Sequence, residues 1–297
     1  SCTTSNEMEL IRFSASVIRD MLDGSYQALA TLVHEMKHVS SLYKSLARYS
    51  ASGGTDPGYH PSWIEEGTAE IAGEMSSRLA WEATGGPAVN GLVRKADKVI
   101  NKETYGVLLK WARTILYLGS QPNGLVGTPE GGHGGSVYGS GWHFHRWIGD
   151  SYGDAGSAPL ADASLFTALN DSLTASGVAG LRNVTGRTWS ELVEEYTSAI
   201  MLNGTGATPP DWAFTSYDFP DVTDGLLVTQ RDGFYPWPVN VSGSETTQTF
   251  ASFISSGTVG PSGIRVYDLT SDGAGSGLEL RVETTKNPVR VVVVRIQ

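Results

Sequence analysis

The sequence predicts an α+β protein: a mainly α-helical unit over residues 1–205, then a small all-β unit over 206–297. Three observations carry that expectation. From Ser25 to Ser52 there is neither Gly nor Pro, and Ala28, Leu29, Leu32, Val33, Met36, Val39, Tyr43 and Leu46 recur at helical spacing. Asn203-Gly204-Thr205-Gly206-Ala207-Thr208-Pro209-Pro210 is a shift in composition of the kind that separates domains. Beyond it, residues 264–269, 278–282 and 289–295 alternate with period two between Gly, Ser, Asp and Asn turns, which reads as strands of a β-sandwich-like domain.

The elements follow in order. A short helix is expected over Ser14–Leu22, ended by Gly24, and the long helix after it should run to about Tyr49. The turn-rich stretch Ser52-Gly53-Gly54-Thr55-Asp56-Pro57-Gly58 stops it. Ser62 followed three residues later by Glu65 reads as a capping box, opening a helix that should reach Ala83. Further helices are expected over Lys102–Leu118, around Tyr138–Ile148, and over Asp162–Ala175 and Thr188–Leu202, with a glycine-rich loop from Gly119 to Ser136.

Composition narrows the function. A chain of 297 residues can bury a sizeable core, and a formal net charge of −10 argues against nucleic acid or an anionic membrane surface as the main partner. With Cys2 as its one cysteine the chain holds no internal disulfide. No apolar run approaches the roughly 18 residues of a spanning helix. The opening Ser-Cys-Thr-Thr-Ser and the 36 glycines fit a processed, exported bacterial protein, secreted or held at the cell surface or in the periplasm.

The chemistry-bearing stretch is His34-Glu35-Met36-Lys37-His38. Histidines four apart on a helix project from one face, one turn apart, where two neutral imidazoles can grip one Zn2+. Glu35 between them stands beside the metal without having to ligate it. A catalytic zinc needs a third protein ligand and an open position. A third histidine six residues beyond His38 is excluded, because that position is Lys44. A carboxylate from the next helix is the other route, and Glu66 and Glu70 lie on one face of it. Gly67, Ala69, Ala72 and Gly73 are small enough for the two helices to approach closely.

Trp63-Ile64-Glu65-Glu66-Gly67-Thr68-Ala69 resembles the Trp-x-x-Glu-Gly-x-Ala motif of the gluzincin zinc metallopeptidases, most closely their hyicolysin-like group. The resemblance implies a zincin-like catalytic domain over 1–205, with His34, His38 and Glu66 as ligands and Glu35 as general base. It also implies Glu70 as the acid that hydrogen-bonds a ligand histidine. Tyr138-Gly139-Ser140-Gly141 resembles the Tyr-Gly-x-Gly helix of such enzymes, so Tyr138 becomes the candidate oxyanion stabiliser, with His133, His143 and His145 as alternatives. Glu65 and Glu74 are read as capping or solvated, His60 as loop surface, and Trp142 and Trp147 as core.

Two departures stand out. Residues 39–65 form a longer spacer than the aminopeptidase branch has. Only residues 1–24 precede the metal helix, where gluzincins carry a substrate-binding sheet, so either a partner chain or a removed N-terminal segment completes the groove, or the fold is a reduced one. The expected function is a zinc endopeptidase acting on protein or peptide. The alternatives are a zinc-containing but catalytically reduced binding or structural protein, and an aminopeptidase-like exopeptidase. The last ranks lowest, because no Gly-x-Met-Glu-Asn-like anchor for a free amine is present.

Overall fold

A computed structural model of the chain describes residues 11, 13–55, 58–84, 110, 113–114, 134–154, 162–202, 212–217, 248–249 and 269–270. Among them are seven helices: α1 (Ala15–Leu22), α2 (Tyr26–Ala51), α3 (Ser62–Ala83), α4 (Gly134–Tyr152), α5 (Ala163–Asp171), α6 (Gly177–Thr185) and α7 (Trp189–Leu202). Lys110, Arg113 and Thr114 are helical as well, inside the span expected for a helix at 102–118.

Local chemistry sets the ends of the first helices. Ser14 and Ser25 cap α1 and α2, each accepting a hydrogen bond from a backbone N–H three residues on. Between the two helices Gly24 turns the chain at φ 83°, a left-handed conformation that suits glycine. The capping box expected at α3 does not form. Pro61 occupies the cap without a side-chain bond, and Glu65 is drawn to the side chains of α2 instead.

Helix α3 is the central element. It packs against α2 on one side and α4 on the other, and its buried residues include Trp63, Ile64, Ala69 and Ile71. Trp142, Phe144 and Trp147 of α4 are fully buried against it and against Tyr196 of α7, an aromatic core with Phe144 edge-on to Tyr196 at 5.1 Å. Both tryptophans are core, as expected. Phe214 and Tyr217 complete the same cluster, so the chain beyond residue 205 still contributes to the helical core. Among the described residues no helix is long and apolar enough to cross a membrane.

The α+β class is corrected here. The described residues are helical, and β structure among them is one two-residue parallel pair, Gln248–Thr249 with Leu269–Thr270. A parallel pair of that size is not an all-β C-terminal domain. Alternation of apolar and polar residues states only that a segment could be half-buried as a strand; a partner at the right register has to supply the ladder. The segments 278–282 and 289–295 lie outside the described residues, as does 264–268.

The crossing of α2 and α3 depends on a glycine. A Cβ built on Gly73 would stand 2.5 Å from the carbonyl oxygen of Ala30, one turn before His34. Gly73→Ala gains about 1 kcal/mol of helix propensity. Two backbones would have to separate to make room, which costs about 1–3 kcal/mol in a packed interior. The net expectation is a lower urea midpoint. A Gly73→Ala protein more stable than wild type would show that the helices can part without cost.

Candidate metal centre

His34 and His38 project from α2 toward α3, where Glu66 meets them. The Nε2 atoms of the two histidines are 3.0 Å apart, and Glu66 Oε2 lies 3.2 Å from the first and 3.4 Å from the second. Among the described residues these three form a group whose ligand atoms lie close enough together to hold a metal ion. Zinc held tetrahedrally at about 2.0–2.1 Å puts its donors about 3.3 Å apart. The triangle here has that size. Glu66 Oε2 is buried and accepts no hydrogen bond among the described residues, despite its nearness to both rings. Two imidazole nitrogens and a carboxylate oxygen converging on one point suit a cation once the nitrogens give up their protons.

The electrostatics agree. Burial works against the charge of Glu66, but the two imidazoles beside it hold its pKa down to about 2. Burial likewise works against a protonated His38, yet the carboxylates of Glu65 and Glu66 outweigh it and raise the pKa to about 9. In the metal-free chain a proton on His38 supplies the positive charge that these carboxylates call for. A metal must displace that proton, so binding is coupled to proton release.

Around the cluster, the structure brings Glu35, Glu70 and Tyr138 to the site in different degrees. Glu35 is exposed and shares a cleft of about 440 Å³ with His38; Ile11, Phe13, Val17 and Val39 form its apolar walls. Tyr138 of α4 has its ring centroid 6.5 Å from that of His34, with the Arg113 guanidinium 5.1 Å over its face. Burial, then the nearby Glu66 charge, raise the pKa of the Tyr138 hydroxyl, which keeps its proton available for donation. Glu70 Oε1 stands 4.0 Å from His34 Nδ1, beyond hydrogen-bond reach, and its carboxylate is taken up by Lys110 and Arg113. Burial disfavours its charge, but Lys110, His34 and Arg113 hold its pKa below the usual range.

Sequence reasoning missed Glu65. Its Oε1 lies 3.0 Å from His38 Nδ1, and its Oε2 lies 2.7 Å from Lys37 Nζ. Burial opposes its ionisation, but the His38 bond and the Lys37 charge bring its pKa to about 2. Nothing in the one-dimensional pattern separates this role from that of a capping residue, because it follows from the angle at which α2 and α3 cross.

The other described histidines stay away from the cluster. His143 is fully buried, with Nδ1 bonded to the Tyr196 hydroxyl at 2.8 Å and its ring against Phe214. His145 is fully buried and donates from Nδ1 to the Gly141 carbonyl at 2.7 Å. His60 is not loop surface: it is buried, and its Nδ1 accepts the N–H of Gly177. His133 lies outside the described residues. No protein-family model, no curated protein and no solved structure matches the chain.

Proposed function

We propose that the chain is a zinc-dependent endopeptidase whose metal is held by His34, His38 and Glu66. The observation that carries this reading is the 3.0–3.4 Å triangle of their donor atoms, with Glu35 in the adjoining cleft. When bound, zinc supplies the Lewis acidity that brings a water's pKa toward 7 and polarises a carbonyl. Glu35 is the acceptor for that water's proton and returns it to the leaving amine. Tyr138 donates its hydroxyl proton toward the oxygen on which negative charge develops. The apolar walls of the cleft take a non-polar side chain of the peptide.

The reading is tested by measuring zinc content and casein hydrolysis side by side. Wild type should hold one zinc, and Glu66→Ala should lose it. Glu35→Gln should keep the zinc while hydrolysis falls by about 10²–10⁴-fold, the usual contribution of a positioned acid–base group. Undiminished hydrolysis by Glu35→Gln would overturn the proposed mechanism. Zinc without any hydrolysis would point instead to a binding or structural module.

A further inference from the structure

The geometry points to Glu65, not Glu70, as the carboxylate that positions the metal-binding imidazoles, through the Nδ1 atom of His38. This rests on the metal reading above. An imidazole that offers its Nε2 lone pair to a metal carries its hydrogen on Nδ1, and the group accepting that hydrogen fixes both the tautomer and the plane of the ring. For His38 that acceptor is Glu65 Oε1 at 3.0 Å. The neighbouring Glu66 reaches the other nitrogen of the same ring, with Oε2 3.4 Å from Nε2. Two consecutive residues of α3 therefore address both nitrogens of His38.

Glu65 is itself held. Lys37 Nζ lies 2.7 Å from Glu65 Oε2 and donates to the Glu65 backbone carbonyl at 3.4 Å. The Lys37 side chain is 12% exposed, so this clamp is largely shielded from water. One carboxylate oxygen faces the lysine and the other faces the histidine, which keeps the carboxylate from turning away. Glu70 stands differently. Its nearest oxygen is 4.0 Å from His34 Nδ1, and it is engaged by Lys110 and Arg113. Position on the helix alone would give the positioning role to Glu70, one turn beyond Glu66. The crossing of α2 and α3 gives it to the residue before Glu66. Glu65 is a positioning residue: it acts on the metal through His38, and Lys37 acts through Glu65.

The test uses the full chain and two readouts other than hydrolysis. Zinc affinity is measured by competition with a chromophoric chelator, and the visible spectrum of the Co2+-loaded protein reports ligand geometry. Glu65→Ala should weaken zinc by about 10–100-fold and shift the Co2+ bands, as loss of such an outer partner does. Glu65→Gln keeps an oxygen that can accept the His38 hydrogen, so it should recover most of the loss. Glu70→Ala should weaken zinc less than Glu65→Ala. Should Glu65→Ala fail to fold by circular dichroism, the same ranking is read from Glu65→Leu against Glu70→Leu, which keep the bulk and remove the acceptor, with the larger loss at Glu65. Zinc on the wild type with an undiminished Glu65→Ala, or a larger loss at Glu70 than at Glu65, overturns this assignment alone. No zinc on the wild type overturns the metal reading and this assignment with it.

Discussion

Glu74→Ala should lower the stability of the chain by about 3–5 kcal/mol, the usual cost of removing one partner from a buried ionic group. Glu74 is 0% exposed. Its Oε2 accepts the Trp142 indole N–H at 2.6 Å and its Oε1 accepts the Tyr217 hydroxyl at 2.6 Å. Arg146 Nη1 lies 3.5 Å from it and Arg78 Nη1 3.9 Å. One carboxylate thus joins α3 to α4 and to the 212–217 segment. Alanine takes the acceptor from the indole and the hydroxyl and removes one of the anions around Arg146. Burial disfavours that arginine's charge, but Asp150, Glu74 and Asp162 hold it protonated, so it cannot escape by losing its proton. Domains of this kind have about 5–15 kcal/mol of stability in total, so the loss takes a large share. Glu74→Gln keeps one oxygen acceptor and should lose less. Urea unfolding of the three proteins measures this, and equal midpoints for wild type and Glu74→Ala would refute the account.

The same residue shows what a sequence can and cannot disclose. Glu66, Glu70 and Glu74 follow one another every fourth residue along α3, and that spacing places them on one side of the helix without any structure. Their division of labour is not in the spacing. Glu66 reaches the histidines, Glu70 is taken by Lys110 and Arg113, and Glu74 sits in the aromatic core. Each outcome depends on which residue of a distant element arrives opposite.

Helix α2 makes the point from the other side. Its apolar periodicity correctly signals a helix, and the His34–His38 pair was legible because one turn is a local property. The buried face was not legible. Ser41, Ser45 and Arg48 are buried, while Met36, Tyr43 and Leu46 are exposed. Arg48 is buried because its guanidinium meets the carbonyl of Gly58 and those of Asn170 and Ser172, the last two far along the chain. Hydrophobic pattern predicts burial only where the neighbouring element is apolar, and here the neighbours offer carbonyl oxygens. The capping box failed for the same reason: His38 and Lys37 compete for Glu65 more strongly than a backbone N–H does. Helix α6 escaped the reading because Gly177 and Gly180 sit within it; Gly180 is buried against Leu169 of α5.

Acid should destabilise the chain from about pH 6.5 downward. Three histidines are buried and neutral. Burial, reinforced by Lys37 and Arg48, lowers His60 to about 4. Burial alone lowers His143 to about 3, and burial lowers His145 to about 4 against the opposing pull of the Gly141 carbonyl. In the unfolded chain each returns to about 6.5. Below pH 6.5 the unfolded state therefore binds protons that the folded state refuses, and stability falls with pH. The stabilisation is fully present above 6.5 and drains away down to pH 3–4. At pH 5 each histidine has cost about 2 kcal/mol, so the three together remove about 6 kcal/mol. His38 does not offset this: its folded pKa is raised to about 9, so below 6.5 it is protonated in both states. Its own contribution is present at pH 6.5 and is lost instead as pH rises toward 9. Denaturant midpoints taken in half-unit steps from pH 7 to pH 4.5 measure the slope, which should approach about 4 kcal/mol per pH unit near pH 5. His143→Phe, which fills the site with a ring that cannot titrate, should flatten that slope by one proton. A midpoint that stays level from pH 6.5 to 4.5 would mean that these imidazoles take up protons in the folded chain, and the burial of His143 and His145 on α4 and of His60 beside Gly177 would have to be redrawn.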